Sequence, residues 1–71
     1  MKQEEIEARV EGWNWNCDIF EIYDELKEER IKAQTQLINY AMKFFNTEDS
    51  QARFRELAFH FNVELEEDED E

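Results

Sequence analysis

A long amphipathic pattern runs through the middle of the chain, from about residue 18 to residue 45. At ~100° per residue, apolar side chains fall on one side of a helix throughout this stretch, and most acidic side chains fall on the other. The apolar positions are Ile19, Ile22, Tyr23, Leu26, Ala33, Leu37, Ala41, Phe44 and Phe45, with Phe20, Ile31 and Ile38 at the edge. Because the apolar positions in the first and second halves of this stretch fall on the same side, the pattern predicts one continuous helix, about 42 Å long at ~1.5 Å per residue. Asp18 followed by Glu21 predicts a capping box at its start, with Asn16 as an alternative cap.

A second amphipathic pattern follows Asn46 and Thr47. Thr47 is a typical N-cap, and the two acids after it favour a helix start, so we predict a helix over residues 48–62. Its core-facing positions are Phe54, Leu57, Ala58 and Phe61, with Leu65 in register if the helix continues. A separate apolar strip lies on another side and consists of Ala52, Phe59 and Val63.

The first segment fits two patterns. Ile6, Val10 and Trp13 are spaced by four and three residues, as on a helix. The residues around Glu11 and Gly12 also alternate as they would in a β-hairpin. We favour the helix, because an isolated two-stranded hairpin is marginally stable and nothing else in the chain offers a third strand.

These elements predict an all-α protein. The chain has no Pro and one Gly, which also favours helices. We expect a short N-terminal helix, one long central helix and a C-terminal helix, arranged as a hairpin-like protomer about two helices thick. Two helices seldom enclose a dry core, so we expect a homodimer that completes a four-helix core. Residues 1–63 form the predicted helical domain, and residues 64–71 form a predicted disordered acidic tail.

Charge narrows the classes of partner. The chain has 71 residues, 20 of them acidic and 8 of them Lys or Arg, for a net charge of -12. Such a chain repels nucleic-acid phosphates and anionic lipids, so we expect neither direct nucleic-acid binding nor membrane binding. Its natural partners are cations or basic proteins. Hydrophobic residues make up 41% of the chain and aromatic residues 14%, which indicates a folded protein rather than a simple acidic tail.

Cysteine usage and the N-terminal segment bear on the compartment. A single Cys forms no internal disulfide and belongs to no metal pattern, which is typical of a reducing, cytoplasmic environment. The first twelve residues carry four Glu and no apolar run, so they do not resemble a signal peptide. No stretch approaches the ~18 apolar residues that span a membrane.

No catalytic, metal or cofactor pattern is present in the sequence. A binuclear carboxylate site in a helical bundle uses Glu-x-x-His, which the chain lacks. His60, with Glu56 and Glu64 at helical spacing, suggests an ordinary ion pair more than a metal site. Cys17 has no base near it in sequence and is expected to be buried or in an interface. We therefore expect no enzymatic activity, no bound metal and no cofactor.

Trp13 and Trp15 alternate with two Asn residues in the most unusual short segment of the chain. Aromatic and amide groups stack nucleic-acid bases, but this segment has no basic residue to hold phosphates. One Trp is expected to pack on the helices while the other is partly exposed. As an alternative, both Trp residues and Phe59 form a contact site for a partner protein, because Trp is enriched in such sites.

Acidic residues cluster at two places. Residues 18–29 carry six acids against Lys27 alone, for a net charge of -5, whereas residues 30–47 carry +3 and the tail from Glu64 carries -7. We call the six acids the acidic ridge: Asp18, Glu21, Asp24, Glu25, Glu28 and Glu29. On a helix they recur within each turn, a spacing comparable with that of phosphates along a nucleic-acid strand.

The acidic ridge and tail favour a non-enzymatic regulator that binds a basic surface on a nucleic-acid-binding protein. In composition, the chain resembles the nucleic-acid-mimicking inhibitors found in phages and mobile elements, although it matches no family motif. Inhibition by competition with DNA or RNA would follow. The alternative is a helical adaptor or assembly module that binds through its apolar and Trp strips, with the acids serving only solubility.

Overall fold

In the computed structural model, residues 2–65 are described, and they form four α-helices and no strand. The helices are α1 Gln3–Glu11, α2 Ile19–Lys27, α3 Ile31–Phe44 and α4 Glu48–Phe61. The all-helical class and the predicted helices at both ends of this region are confirmed, and the hairpin alternative for the first segment is wrong. Residues 66–71, which hold most of the predicted tail, lie outside the described residues.

The predicted continuous central helix is wrong, because the chain leaves helical geometry between α2 and α3. The backbone N–H groups of Glu28 and Glu29 donate to the carbonyls of Glu25 and Leu26 at 3.3 and 3.0 Å, which tightens the last turn of α2. Arg30 then adopts an extended conformation with ψ of 161°. A continuous helix of about 42 Å would exceed the longest dimension of the fold, which is 35 Å.

The buried side chain of Gln34 stabilises this break. Its Nε2 donates to the carbonyl of Leu26 at 2.7 Å and to that of Glu29 at 3.2 Å. The Leu26 carbonyl also accepts from the Glu29 N–H, so Gln34 adds a second bond there, and at the Glu29 carbonyl it supplies a donor where the helix has ended. The polar Gln34 lies within the apolar side of the predicted long helix, and its amide is used to end one helix beside the start of the next.

All four helices contribute to one hydrophobic core. Its buried apolar residues are Ile6 and Val10 from α1, Ile22 and Leu26 from α2, Leu37, Ile38 and Ala41 from α3, and Phe54, Leu57 and Ala58 from α4. A core with contributions from four helices, which we expected from two hairpin-like chains, is therefore present within one chain. Closing the core does not require a second copy.

Three aromatic rings form a stack inside this core. Phe54 is fully buried, and its ring lies between those of Trp13 and Phe45, with centroid distances of 6.0 and 5.8 Å. The stack joins the α1–α2 connection, the end of α3 and α4. Phe44, which the sequence pattern placed on the apolar side, is instead 45% exposed.

The predicted caps have different outcomes. At the start of α4, the Ser50 N–H donates to Thr47 Oγ1 and the Thr47 N–H donates to Ser50 Oγ, both at 3.2 Å, so the predicted Thr47 cap is confirmed. At the start of α2, the Asp18 side chain makes no capping hydrogen bond, so the predicted capping box is wrong. The Asp18 N–H instead donates to the carbonyl of Asn14 at 2.7 Å, in the turn that precedes the helix.

The chain turns back onto the core after α4. Asn62 ends the helix in the left-handed conformation, with φ of 59° and ψ of 42°, which Asn adopts more readily than most residues. The Asn39 side chain on α3 then donates to the carbonyl of Glu64 at 3.2 Å, and Leu65 packs against the core. The first two residues of the predicted tail therefore lie against the helical bundle.

Candidate protein-binding surface

Two carboxylates of the acidic ridge are bound to an arginine on α1. Arg9 Nε donates to Glu25 Oε2 at 2.7 Å, Arg9 Nη1 donates to Glu29 Oε2 at 2.7 Å, and Arg9 Nη2 also contacts Glu25. Trp13 Nε1 donates to the second oxygen of Glu25 at 3.1 Å. We call Arg9, Glu25 and Glu29 the Arg9 clamp. It ties α1 to α2 and to the turn that follows α2.

The electrostatics of the Arg9 clamp favour the charged forms. Partial burial disfavours the charged guanidinium of Arg9, but the hydrogen bonds and charges of Glu29 and Glu25 outweigh this, and the pKa of Arg9 is raised. The three side chains are 27–36% exposed, so solvent screens the pairs and their net contribution to stability is about 1–2 kcal/mol. Glu25 and Glu29 therefore have a structural role.

The other four carboxylates of the ridge are exposed to solvent. Asp18, Glu21, Asp24 and Glu28 succeed one another at intervals of three or four residues along α2 and its two ends. Within residues 2–65, none of the four forms an ion pair. We call these residues the four free acids. Because the buried side chains Ile22 and Leu26 anchor the same helix, the four free acids are presented on a fixed support.

The predicted aromatic contact residues differ in their exposure to solvent. Trp13 and Trp15 are half-buried and pack against the core, and Trp13 is committed to Phe54 and Glu25. Phe59 lies on α4 and is 89% exposed. Of the three residues, Phe59 is the one most available to a partner.

Two adjoining shallow depressions lie between α2 and α4, with volumes of about 260 and 530 Å³. Tyr23, Glu56 and Leu57 line both, so the two depressions form one groove, which we call the aromatic groove. Phe20 lies at one end and is 81% exposed, and Phe59 lies at the other.

His60 lies in the aromatic groove and contacts Tyr23 rather than a carboxylate. Its Nε2 and the Tyr23 hydroxyl are 2.8 Å apart, and the two rings have a centroid distance of 5.0 Å. The ion pair expected between His60 and its neighbouring Glu residues is not present in residues 2–65. This contact instead fixes the side chain of Tyr23 across the α2–α4 boundary.

The remaining candidates for chemistry are dispersed. No group of three His, Cys, Asp or Glu side chains in residues 2–65 is arranged to hold a metal ion. Cys17 is exposed in the turn before α2, so it is not buried within the chain, and the alternative position in an interface stays a prediction. None of the helices in this part of the chain has the length and apolar content that a membrane crossing needs.

Two residues of this surface were not singled out from the sequence. Arg9 was not identified as a partner of the ridge, because no local spacing connects residues 9, 25 and 29. Phe20 was treated as the edge of a buried stripe, although the acids Glu21 and Asp24 near it on the helix were a sign of exposure.

Comparison with known proteins found no matching family model, no matching curated protein and no matching solved structure.

Proposed function

We propose that the protein is a non-enzymatic regulator that binds a basic surface on a nucleic-acid-binding protein through the four free acids. Occupation of that surface competes with DNA or RNA. The observation that carries the proposal is the position of the four free acids, which follow one another along a well-anchored helix without ion pairs in residues 2–65.

Electrostatic complementarity raises the rate of association with a basic partner and makes this surface selective for it. A row of like charges on a fixed helix speeds the encounter with a basic partner and repels acidic ones. The surfaces that bind nucleic acid carry Lys and Arg side chains that contact phosphates, and a row of carboxylates forms ion pairs with the same side chains. The acidic residues from Glu64 onward carry a further -7 and add to the attraction.

The test uses capture from a host lysate followed by competition with DNA. The ridge variant changes the four free acids to amides: D18N, E21Q, D24N and E28Q. A matched control variant makes the same change in net charge at four exposed acids elsewhere: E4Q, E5Q, E11Q and E48Q. We expect the wild type and the matched control variant to retain a basic protein at about 50 mM salt and to release much of it by about 200 mM.

The ridge variant should retain little of this protein at either salt concentration. In the second step, the purified partner is bound to labelled duplex DNA, and the wild-type protein should displace the DNA. Retention that is insensitive to salt, or equal loss in the ridge and matched control variants, would contradict the proposal.

The alternative function is an adaptor that binds through apolar side chains, with acids serving solubility. The exposure of Phe59 supports it, whereas Trp13 is occupied by contacts within the chain. For an adaptor, Phe59→Ala should abolish capture of the partner, and the ridge variant should leave it almost unchanged. The ridge variant therefore distinguishes the two functions, because the proposed regulator should lose capture of the partner and the adaptor should keep it.

Self-association is a separate prediction. The exposed side chains of Ile31 and Phe44 on α3 give a second copy some apolar surface to cover, although the core is closed without it. The molecular mass in solution, measured by light scattering over a range of protein concentrations, tests the homodimer. A cytoplasmic location is likewise a prediction, which cell fractionation tests.

A further inference from the structure

The aromatic groove combines exposed aromatic rings with an anchored apolar base. Phe20 and Phe59, at its two ends, are the most exposed of the large hydrophobic side chains in residues 2–65. Between them, Leu57 is buried and Tyr23 is half-buried and hydrogen-bonded to His60. Exposed rings at both ends of an open apolar groove are typical of a surface that receives side chains from a partner.

Charges around the groove identify the kind of occupant. Glu56 lines both depressions, and it forms no ion pair within the described part of the chain. At ~100° per residue on α2, Asp24 lies next to Phe20 on the side away from the core and Glu21 lies beyond it, while the exposed Lys27 lies in line with Phe20 two turns further along. Arg53 is the one Lys or Arg side chain that lines the groove. An occupant with apolar residues on one side and cations on the other meets complementary groups across most of this surface.

The same charges disfavour other occupants. In a twofold dimer through the groove, each copy would bring its acids towards those of the other. An anionic membrane surface would be repelled in the same way. A basic segment of a different protein gains from both the apolar groove and the acids beside it.

We infer that the aromatic groove receives a basic amphipathic helix of the partner, whose apolar side chains dock between Phe20 and Phe59 while its Lys and Arg side chains face the free acids. This is a helix-in-groove contact, in which apolar residues about one helical turn apart supply the anchors. The inference rests on the proposed function and adds the form of the partner segment to it. Phe20, Tyr23 and Phe59 determine which basic segments are accepted.

The experiment measures binding of two labelled helical peptides by fluorescence anisotropy. The first has Leu on one face and Lys on the other, and the second carries the same Lys residues with every Leu replaced by Gln. We expect the wild type to bind the Lys/Leu peptide about tenfold or more tightly than the Lys/Gln peptide. In the groove variant F20A/F59A, the Lys/Leu peptide should bind only as well as the Lys/Gln peptide.

The control variant Ile31→Ala removes an exposed apolar side chain outside the groove and should preserve the tenfold preference. Because Phe20 and Phe59 are exposed, the groove variant should keep the helical content and thermal midpoint of the wild type, measured by circular dichroism. Perturbed amide resonances in the wild type should cluster around Ile19, Tyr23, Leu57 and His60.

The possible failures are distinguishable. Loss of Lys/Leu binding in the groove variant, with full binding by the ridge variant, would overturn the electrostatic function but keep the groove. Binding that the groove variant preserves would overturn the groove while leaving the function intact. If F20A/F59A instead converts a dimer to a monomer, a second copy is the occupant and the inference is wrong.

Discussion

Carboxylates on two sides of α2 have different surroundings. Glu25 and Glu29 face α1, where Arg9 and Trp13 bind them, whereas the four free acids face solvent. Both groups are acidic residues from the same dozen positions of the chain, and what separates them is one arginine brought close by folding. The net charge counted along the sequence therefore overstates the negative charge that is available to a partner, because part of that charge already stabilises the fold.

The aromatic stack in the core should give the largest effect on stability. Phe54→Ala removes the ring that supports Trp13 and Phe45, and we expect a loss of about 3–5 kcal/mol in the free energy of unfolding. A chain of this size has a total stability of about 4–10 kcal/mol, so the variant would be close to unfolding. Denaturation in urea measures it. The control Phe59→Ala should change the free energy of unfolding by less than about 0.5 kcal/mol. Equal losses in the two variants would contradict the placement of Phe54 in the core and Phe59 on the surface.

Gln34 provides the next largest effect. Gln34→Leu removes one of the two donors to the Leu26 carbonyl and the side-chain donor to the Glu29 carbonyl, and we expect a loss of about 1–3 kcal/mol in the free energy of unfolding. Gln36→Leu, on an exposed position of the same helix, is the control and should change stability by less than about 0.5 kcal/mol. A stabilised Gln34→Leu variant would indicate that the break between α2 and α3 has another cause.

Removal of the arginine tests the clamp itself. Arg9→Met keeps the length of the side chain but removes the cation between Glu25 and Glu29. We expect a loss of about 1–2 kcal/mol in the free energy of unfolding, and this loss should be smaller in high salt.

 Arg53→Met is the matched control, because Arg53 is exposed and forms no ion pair in residues 2–65. Thermal unfolding of both variants at low and high salt makes the comparison. Equal losses would show that the pairs with Glu25 and Glu29 add nothing to stability.

The four free acids should have the smallest effect on stability. The ridge variant relieves repulsion between neighbouring carboxylates, so its free energy of unfolding should stay within about 0.5 kcal/mol of wild type or rise slightly. Urea denaturation beside the wild type measures the difference. A loss above about 1 kcal/mol would mean that these side chains also stabilise the fold.

Local patterns in the sequence predict much of the fold. The spacing of Ile6 and Val10 predicts α1, and Thr47 with the apolar spacing after it predicts α4. Both patterns depend on contacts within a few residues, which the sequence displays directly. The break between α2 and α3 is not displayed in this way, because the helical spacing of apolar residues continues across it. It depends on Gln34, which donates to carbonyls five and eight residues earlier in the chain. A polar residue inside an apolar stripe was its one visible signal.

The candidate site was less predictable than the fold. Its acids are visible in the sequence, but their division depends on Arg9, which lies sixteen residues before Glu25 and twenty before Glu29. The aromatic groove likewise needs α2 and α4 side by side, which a single long central helix would not have allowed. In both cases the missing information was the tertiary arrangement that follows from the break after α2.

The most direct test of the division between the two groups of carboxylates is the affinity for the Lys/Leu peptide, measured across a salt series for two variants. The ridge variant replaces the four free acids, and the clamp variant E25Q/E29Q replaces the other two. We predict that the ridge variant loses about tenfold or more in affinity at low salt and most of the salt dependence, whereas the clamp variant stays within about threefold of wild type. An equal or greater loss of affinity in the clamp variant would contradict the division.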